Sequence, residues 1–350
     1  EFENLRLDGK TDRATGGDEG SAGSLRATLS DSVKSRKGSL AESAPVVALS
    51  RYYQYLTEWP SARGSTVVEA LTNNIEANDA PFFAWTHLMD IHRPIHPTVA
   101  NNDDTLHRYS LRQQFAVDSH ASTNQFDARS EVIYDNAVRY VDRQIGAIID
   151  NLRQEGVWGN TCLVVTGDHG EALFDRDRYG HPRHYLYDEL LHVPLLIDNC
   201  SGESKRISHP FSLAWLGELI AEMVGINPPD FPSSSGYETH FDDKTADVPV
   251  VSDALDSHGH SVAVRNGEYK YVTRSLTPDA DMSVIETPTD TGYHVASDRG
   301  ERCPLNGDTV PDPLVEYAES IVTEPSALPR LEGGFTREAE RRLEQLGYKM

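Results

Sequence analysis

Thr161-Cys162-Leu163-Val164-Val165-Thr166-Gly167-Asp168-His169-Gly170-Glu171 is the stretch that decides the fold. Its first part is a β-branched, apolar run, which reads as a strand buried on both faces. Its second part is a polar turn with glycine on either side of an Asp-His pair. Upstream, Ile133, Ala137, Val141, Ile145, Ile148, Ile149 and Leu152 recur at three- and four-residue spacing, which predicts a helix over 131–154. Gly156 supplies its stop. Helix, apolar strand and Gly-flanked polar turn together predict an α/β fold built on a parallel sheet. In such sheets ligands bind at the carboxyl ends of strands. Asp168 and His169 stand at such an end.

Working outward, Pro81-Phe-Phe-Ala-Trp-Thr-His-Leu-Met89 is a short aromatic run that predicts a second buried strand. Val193-Pro-Leu-Leu-Ile197 and Val248-Pro-Val-Val251 predict two more. His260 to Arg265 and Glu268 to Thr273 flank Asn266-Gly267, a pair suited to the two positive-φ positions of a type I′ hairpin turn. An amphipathic helix is expected from Phe211 to Val224, closed by Gly225. Two helical pieces are expected over 46–74, broken at Pro60 and Gly64, and a last helix from Thr336 to Leu346. Residues 1–45 and 276–330 read mainly as loops, and 98–128 as an irregular or helical excursion. The expected organisation is a lead-in over 1–78, an α/β core over 79–245 and a small C-terminal hairpin-and-helix subdomain over 246–350. The chain shows no internal repeat.

Length and composition set outer limits. At 350 residues the chain holds about two domains on a scale of roughly 150 residues each. Its longest apolar runs fall well short of the ~18 residues that span a bilayer. The 55 acids against 32 bases give a net charge of -23, which argues against a nucleic-acid binder acting through bulk charge. Only seven of the bases are Lys, none of them between 37 and 205. Dispersed acidity with few Lys fits a surface kept soluble at high salt; an ordinary acidic protein is the alternative. Cys162, Cys200 and Cys303 are odd in number and far apart, so neither a disulfide framework nor a Cys-x-x-Cys zinc spacing is expected. No export signal is legible, and a cytoplasmic location is the default expectation.

Two histidine-rich turns carry the candidate chemistry. The first is His87-Leu-Met-Asp90-Ile-His92-Arg93-Pro94-Ile-His96. The second is Asp168-His169-Gly170-Glu171, followed by His181-Pro-Arg183-His184. A carboxylate oxygen beside an imidazole nitrogen is a usable metal pair. Arg183 with His181 and His184 suits an oxyanion, and a loop histidine can protonate a leaving alkoxide. The bland alternative for an Asp-His pair after a strand is a turn whose Asp caps the next helix. His87 falls inside the strand pattern and His192 at a strand entry, where structural roles are expected.

Several ordered motifs resemble the sulfatase family of the alkaline-phosphatase-like superfamily. They are Pro81 through His92-Arg-Pro94, Tyr134 through Asp142, Thr166-Gly-Asp-His-Gly-Glu171, Tyr187-Asp-Glu-Leu-Leu-His-Val-Pro-Leu-Leu-Ile197, Val262-Ala-Val-Arg265 with Tyr269-Lys-Tyr-Val272, and Arg341 through Tyr348. They keep the family order and cover about 80–348. The resemblance implies a mixed sheet between helices with a smaller C-terminal antiparallel sheet and helix. It implies hydrolysis of sulfate esters, on a small molecule or a sugar, by a formylglycine made from Cys or Ser. It implies a divalent metal, calcium first, with magnesium, manganese or zinc as alternatives. Asp168 and His169 match half of the metal site, and His92 matches a histidine at the sulfate and leaving group. The family often carries a Lys or His shortly before Tyr187-Asp-Glu. No Lys stands there, so His181, Arg183 or His184 must fill that role, His184 being nearest in spacing.

The departures shape the expectation as much as the matches. No Cys-or-Ser-x-Pro-x-Arg motif occurs; Ser43-Ala-Pro45 echoes it, but Val47 stands where Arg belongs. The paired upstream aspartates are absent too. The expectation is therefore that the nucleophile lies in a missing N-terminal segment. The chain by itself should bind metal weakly and lack turnover, because calcium takes 6 to 8 oxygens. A phosphoester or phosphonate hydrolase of the same superfamily and a non-catalytic remnant are the rival readings.

Overall fold

The computed structural model describes residues 62–78, 81–93, 95–96, 99, 128–198, 206–226, 248–256, 258–278, 280, 289–306 and 309–324. They fall into two compact units, one ending at Trp158 and one beginning at Gly159. The expected features at 1–45, the first helical piece before Pro60 and the helix at 336–346 lie outside the described residues.

The first unit pairs α1 (Gly64–Ala77) with α2 (Ala128–Gln154). Val68 and Ile75 of α1 pack on Ile148 and Leu152 of α2, and Ile133 and Ala137 bury against Ile95 and Val99. The 3.6-residue pattern therefore faces the core as its spacing requires. Gly156, at φ +71°, ends α2 as expected. Gly64 stands at the start of α1, where the second helical piece was expected to begin.

That start is held from a distance. Gly64 N–H donates to Asp90 Oδ2 at 2.8 Å, Ser65 N–H donates to the Tyr140 hydroxyl at 3.2 Å, and Arg63 Nη2 lies 3.0 Å from His96 Nε2. A carboxyl at a helix N-terminus satisfies an orphan donor and faces the positive end of the dipole. Asp90 is nevertheless buried, and burial pushes its carboxyl above the usual range, against the Gly64 N–H and Arg63. A raised folded pKa contributes stability that is complete at acid pH and lost as pH rises through it. Asp90→Asn, which keeps the acceptor without the charge, should therefore match or exceed the parent at pH 7. Asp90→Ala should lose about 1–2 kcal/mol. Urea unfolding at pH 7 checks both.

One expectation fails in this unit. Residues 81–88 are not a buried strand. They carry no regular secondary structure, and Phe83 is 66% and Trp85 77% exposed. An apolar run becomes a buried strand only where a neighbour pairs with it, and no described residue does.

The second unit starts with β1 (Leu163–Thr166). It pairs antiparallel with β4 (Leu195–Asp198), in the register Leu163↔Asp198 and Thr166↔Leu195. Among the described residues β1 therefore has an antiparallel neighbour in place of the parallel one expected. Residues 167–194 bring the chain back alongside itself rather than across the sheet. They hold the short pair β2 (Ala172–Leu173) and β3 (Tyr179–Gly180) and the single-turn helix α3 (Asp188–Leu191). Cys162, just before β1, is disulfide-bonded, which the wide spacing of the cysteines did not predict. The expected helix α4 (Leu216–Met223) follows, closed by Gly225 at φ +71°.

The C-terminal sheet is antiparallel in the order β5 (Val250–Asp256), β6 (Gly259–Arg265), β7 (Lys270–Leu276), β8 (Thr291–Tyr293) and β9 (Leu305–Asn306). The β6–β7 hairpin forms, but not through a type I′ turn. Arg265↔Lys270 is the last pair, and Asn266 and Gly267 stay out of the left-handed region. Instead Asn266 Oδ1 accepts from Glu268 N and Tyr269 N, an Asx turn that closes a four-residue loop. The stretch 276–330, expected to be looped, contains β8, β9 and helix α5 (Asp312–Ile321).

Both faces of this sheet are covered. Val262, Val264 and Tyr271 pack on Leu314 and Ala318 of α5. On the other face Ala263 and Val272 receive Leu186 and Leu191 from the segment that follows the Asp-His turn. Strand alternation puts Ala254, Asp256, Ser261, Ala263, Arg265, Lys270 and Val272 on that second face. Its polar members are the anchors described next. No helix among the described residues is long and apolar enough to cross a membrane.

Candidate active site

The turn after β1 presents Asp168 and His169. His169 N–H donates to Asp168 Oδ1 at 3.0 Å, so the carboxylate also shapes its own turn. His169 Nδ1 lies 2.7 Å from the Gly170 carbonyl oxygen. A carbonyl can only accept, so Nδ1 carries the proton and Nε2 is the basic ring nitrogen. Nε2 is 3.9 Å from Asp168 Oδ2, too far for a hydrogen bond. The imidazole is thus oriented as metal-ligating histidines usually are, with one nitrogen tied to a carbonyl.

Gly170 N–H donates to the Leu190 carbonyl at 2.8 Å and locks the turn onto α3. The chain then runs out through β2 and β3 and returns to place His181 against His169. Their ring centroids are 4.6 Å apart at an angle of 38°. Glu171, buried, reaches His181 Nδ1 through Oε2 at 3.1 Å. The structure therefore gathers Asp168, His169, Glu171 and His181. Arg183 is exposed on the same loop.

His184, expected as the catalytic histidine, is instead closed in. It is 2% exposed, with Nδ1 2.8 Å from Ser261 Oγ and Nε2 2.9 Å from Asp256 Oδ1. The order Ser-His-Asp invites a nucleophile reading, but Ser261 is fully buried and no substrate could meet it. The three form a clamp between the 181–187 loop and strands β5 and β6. Burial pushes the Asp256 carboxyl up, but the hydrogen bonds from His184 and the His258 N–H outweigh it and hold it low. His92 lies in the first unit, after the 3-10 turn Met89–Ile91, with its N–H on the Met89 carbonyl at 3.0 Å.

A second anchor lies four residues beyond the clamp. Asp188 meets Lys270 Nζ at 3.2 Å and also pairs with Arg265, while Lys270 lies 2.5 Å from Glu301. Glu301 Oε2 accepts from the Asp188 N–H at 2.8 Å. Arg176 reaches from the β2–β3 turn to Glu189 and to the Gly300 and Glu301 carbonyls, and lies over the Tyr187 ring. The histidine loop is thus pinned to the C-terminal sheet at His184 and at Asp188. Neither Glu171 nor this ion network was singled out from sequence. The available signals were the Glu directly after Gly170 and the alternation of polar residues on one strand face.

A carboxylate and an imidazole at adjacent positions suit two ligands of a divalent metal. Among the described residues no third ligand-type side chain joins them in a group that could hold an ion. The described residues alone therefore do not complete a metal site, and no chemical step is routed through one.

An α/β chain with a polar Asp-His turn beyond a strand agrees with the alkaline-phosphatase-like fold. The family model described as Sulfatase matches residues 39–214, half of the chain, and the chain belongs to the sulfatase family. An endo-4-O-sulfatase of Bacteroides thetaiotaomicron is 29% identical over 148 residues, covering 40% of this chain and 28% of that protein. The multifunctional alkaline phosphatase superfamily protein PehA of Trinickia caryophylli is 26% identical over 234 residues, covering 57% and 45%. The chain thus spans less than half the length of these curated relatives. The crystal structure of YidJ from Bacteroides fragilis, provisionally assigned as a sulfatase, matches with a TM-score of 0.50 at 15% identity over 83% of this chain and 60% of that one. At that identity the likeness speaks to fold.

Proposed function

We propose that the chain is the metal-binding and substrate-positioning part of a sulfate ester hydrolase. The observation that carries the reading is the Asp168-His169 turn with the His181 ring packed 4.6 Å from that of His169, in a member of the sulfatase family. Asp168 and His169 Nε2 would supply two ligands to a divalent metal, calcium being the first choice, and the metal when bound would neutralise sulfate charge. His181 and Arg183 would hold the sulfate oxygens. His92 would assist the leaving oxygen, and His184 would hold the loop. The sequence contains no Cys-or-Ser-x-Pro-x-Arg motif, so turnover would need a nucleophile that these 350 residues do not supply. A sulfated sugar is the favoured substrate class, since the endo-4-O-sulfatase is among the relatives.

The test begins with binding. Calcium at about ten times its Kd should stabilise the chain by about 1.4 kcal/mol. That raises Tm by roughly 3–6 °C for a unit of this size. Asp168→Ala should abolish the rise, and manganese and zinc run in parallel identify the preferred ion. No metal-dependent shift in the parent would overturn the metal-binding part. With 4-nitrophenyl sulfate and calcium the chain alone should give background rates, and robust hydrolysis would overturn the statement about the nucleophile.

A phosphoryl ester is the second reading, favoured by the match to PehA. Sulfate and phosphate share tetrahedral geometry, and competition between inorganic sulfate and phosphate for the metal-loaded chain separates the two.

A further inference from the structure

Glu171 has no assigned role, yet it is a buried carboxyl aimed at the one site histidine that faces His169. Glu171 Oε2 lies 3.1 Å from His181 Nδ1, with the Glu171 side chain 5% and the His181 side chain 28% exposed. A buried carboxyl is retained where its oxygens are occupied. An ionised carboxylate can only accept, so the contact requires the proton of a neutral His181 to sit on Nδ1. The same tautomer is imposed on His169 by the Gly170 carbonyl. Two imidazoles 4.6 Å apart are thus each tied at Nδ1, which turns both Nε2 atoms into the defined, basic positions of the site.

The geometry points to Glu171 as a positioning residue: it fixes the tautomer and ring orientation of His181, and through it the nitrogen that meets the substrate oxyanion or its leaving group. Chain connectivity supports this. Glu171 follows directly on the turn that Gly170 locks to Leu190, whereas His181 sits ten residues on, beyond the β2–β3 excursion. The hydrogen bond closes that excursion onto the Asp-His turn, so one carboxyl sets the spacing of His169 and His181. The inference rests on the sulfate ester reading only for what His181 serves; the tautomer itself does not depend on it.

Side-chain 15N–1H correlation spectra of the 350-residue chain, with imidazoles neutral and His181 assigned through His181→Gln, test the inference. The parent should show the Nδ1–H tautomer of His181 by roughly tenfold, the size expected for one charge-assisted hydrogen bond. Glu171→Gln should weaken that preference, because its amide can accept from Nδ1–H or, turned over, donate to a bare Nδ1. Glu171→Ala should show both tautomers, with the His169 signals unchanged. An Nε2–H tautomer of His181 in the parent, or an unchanged His181 signal in Glu171→Ala, would overturn the inference. If Glu171→Ala fails to fold, the parent and Glu171→Gln spectra still decide. Absent metal binding with the expected spectra would strike the functional reading and leave this one standing.

Discussion

Lys270→Met is expected to cost about 3–5 kcal/mol, the range seen when one partner of a buried ion pair is removed. Lys270 is 1% exposed and lies between Asp188 at 3.2 Å and Glu301 at 2.5 Å. Methionine fills most of the volume, so the loss is electrostatic rather than a cavity. Asp188 keeps Arg265, but Glu301 would keep a desolvated carboxyl without its cation. Burial alone raises Asp188; Lys270 and Arg265 outweigh it and hold that carboxyl low. Burial raises Glu301 as well, with the Asp188 charge adding to it, and there Lys270 does not fully compensate. The sign of the pH dependence follows. A carboxyl held low contributes stability above its ordinary pKa that is lost as pH falls; one held high costs stability once pH exceeds its raised pKa. Removing Lys270 reduces the first, which Arg265 then sustains alone, and enlarges the second. The deficit should therefore be full at pH 7 and shrink as pH falls and Glu301 takes up its proton. Calorimetry at pH 7 and pH 4.5 measures this. The double variant Lys270→Met/Glu301→Gln should recover part of the loss, since it removes the charge left unmatched. A deficit that grows toward acid pH would overturn the account.

The ion network also marks what the sequence could and could not disclose. Helix 128–154, β1, β4 and the β6–β7 hairpin are legible because period and local turn chemistry are written in neighbouring residues. The aromatic run at 81–88 misleads because apolar character predicts burial only where a partner strand exists. Helix Asp312–Ile321 was hidden because Pro311 and Pro313 read as loop residues. Proline is tolerated at the first helical turn, and the Leu314 and Ala318 spacing was the signal that outranks it. At the site, Asp168 and His169 are legible as a pair at a strand end. The partners of His184 lie 77 residues away at Ser261, and Asp188 reaches 82 residues to Lys270. No periodicity links positions so far apart. Only the sheet register reveals that Asp256, Ser261, Arg265 and Lys270 share the face that receives the histidine loop. That is why His184, nearest in spacing to the family's cation, turned out to be a clamp.

Gly170→Ala should be the most damaging single-methyl change at the site. A Cβ at Gly170 would overlap the Glu189 carbonyl oxygen and sit 3.0 Å from its carbon and 3.3 Å from Leu190 Cα. These are backbone atoms of α3, which Asp188 and its cations hold in place, so they cannot swing aside as a side-chain end would. Gly170 is not at positive φ, so the penalty is steric rather than conformational. Overpacking against fixed backbone costs about 3 kcal/mol or more, and Tm should fall on the order of 10 °C for a unit of this size. The lost room would also stretch the 2.8 Å Gly170 N–H bond to Leu190 and displace Asp168 and His169 together. Any metal-induced rise in Tm should disappear with it, even where folded protein is recovered. Gly167 provides the control within the same turn. Its Cβ would meet Val193 Cγ1 at 3.5 Å, an ordinary contact. Gly167→Ala should stay within about 1 kcal/mol of the parent, helped by the smaller entropy of its unfolded chain. Equal melting temperatures for the two variants would show that the turn is not locked to α3 at Gly170, and would leave the glycine after His169 without a steric cause.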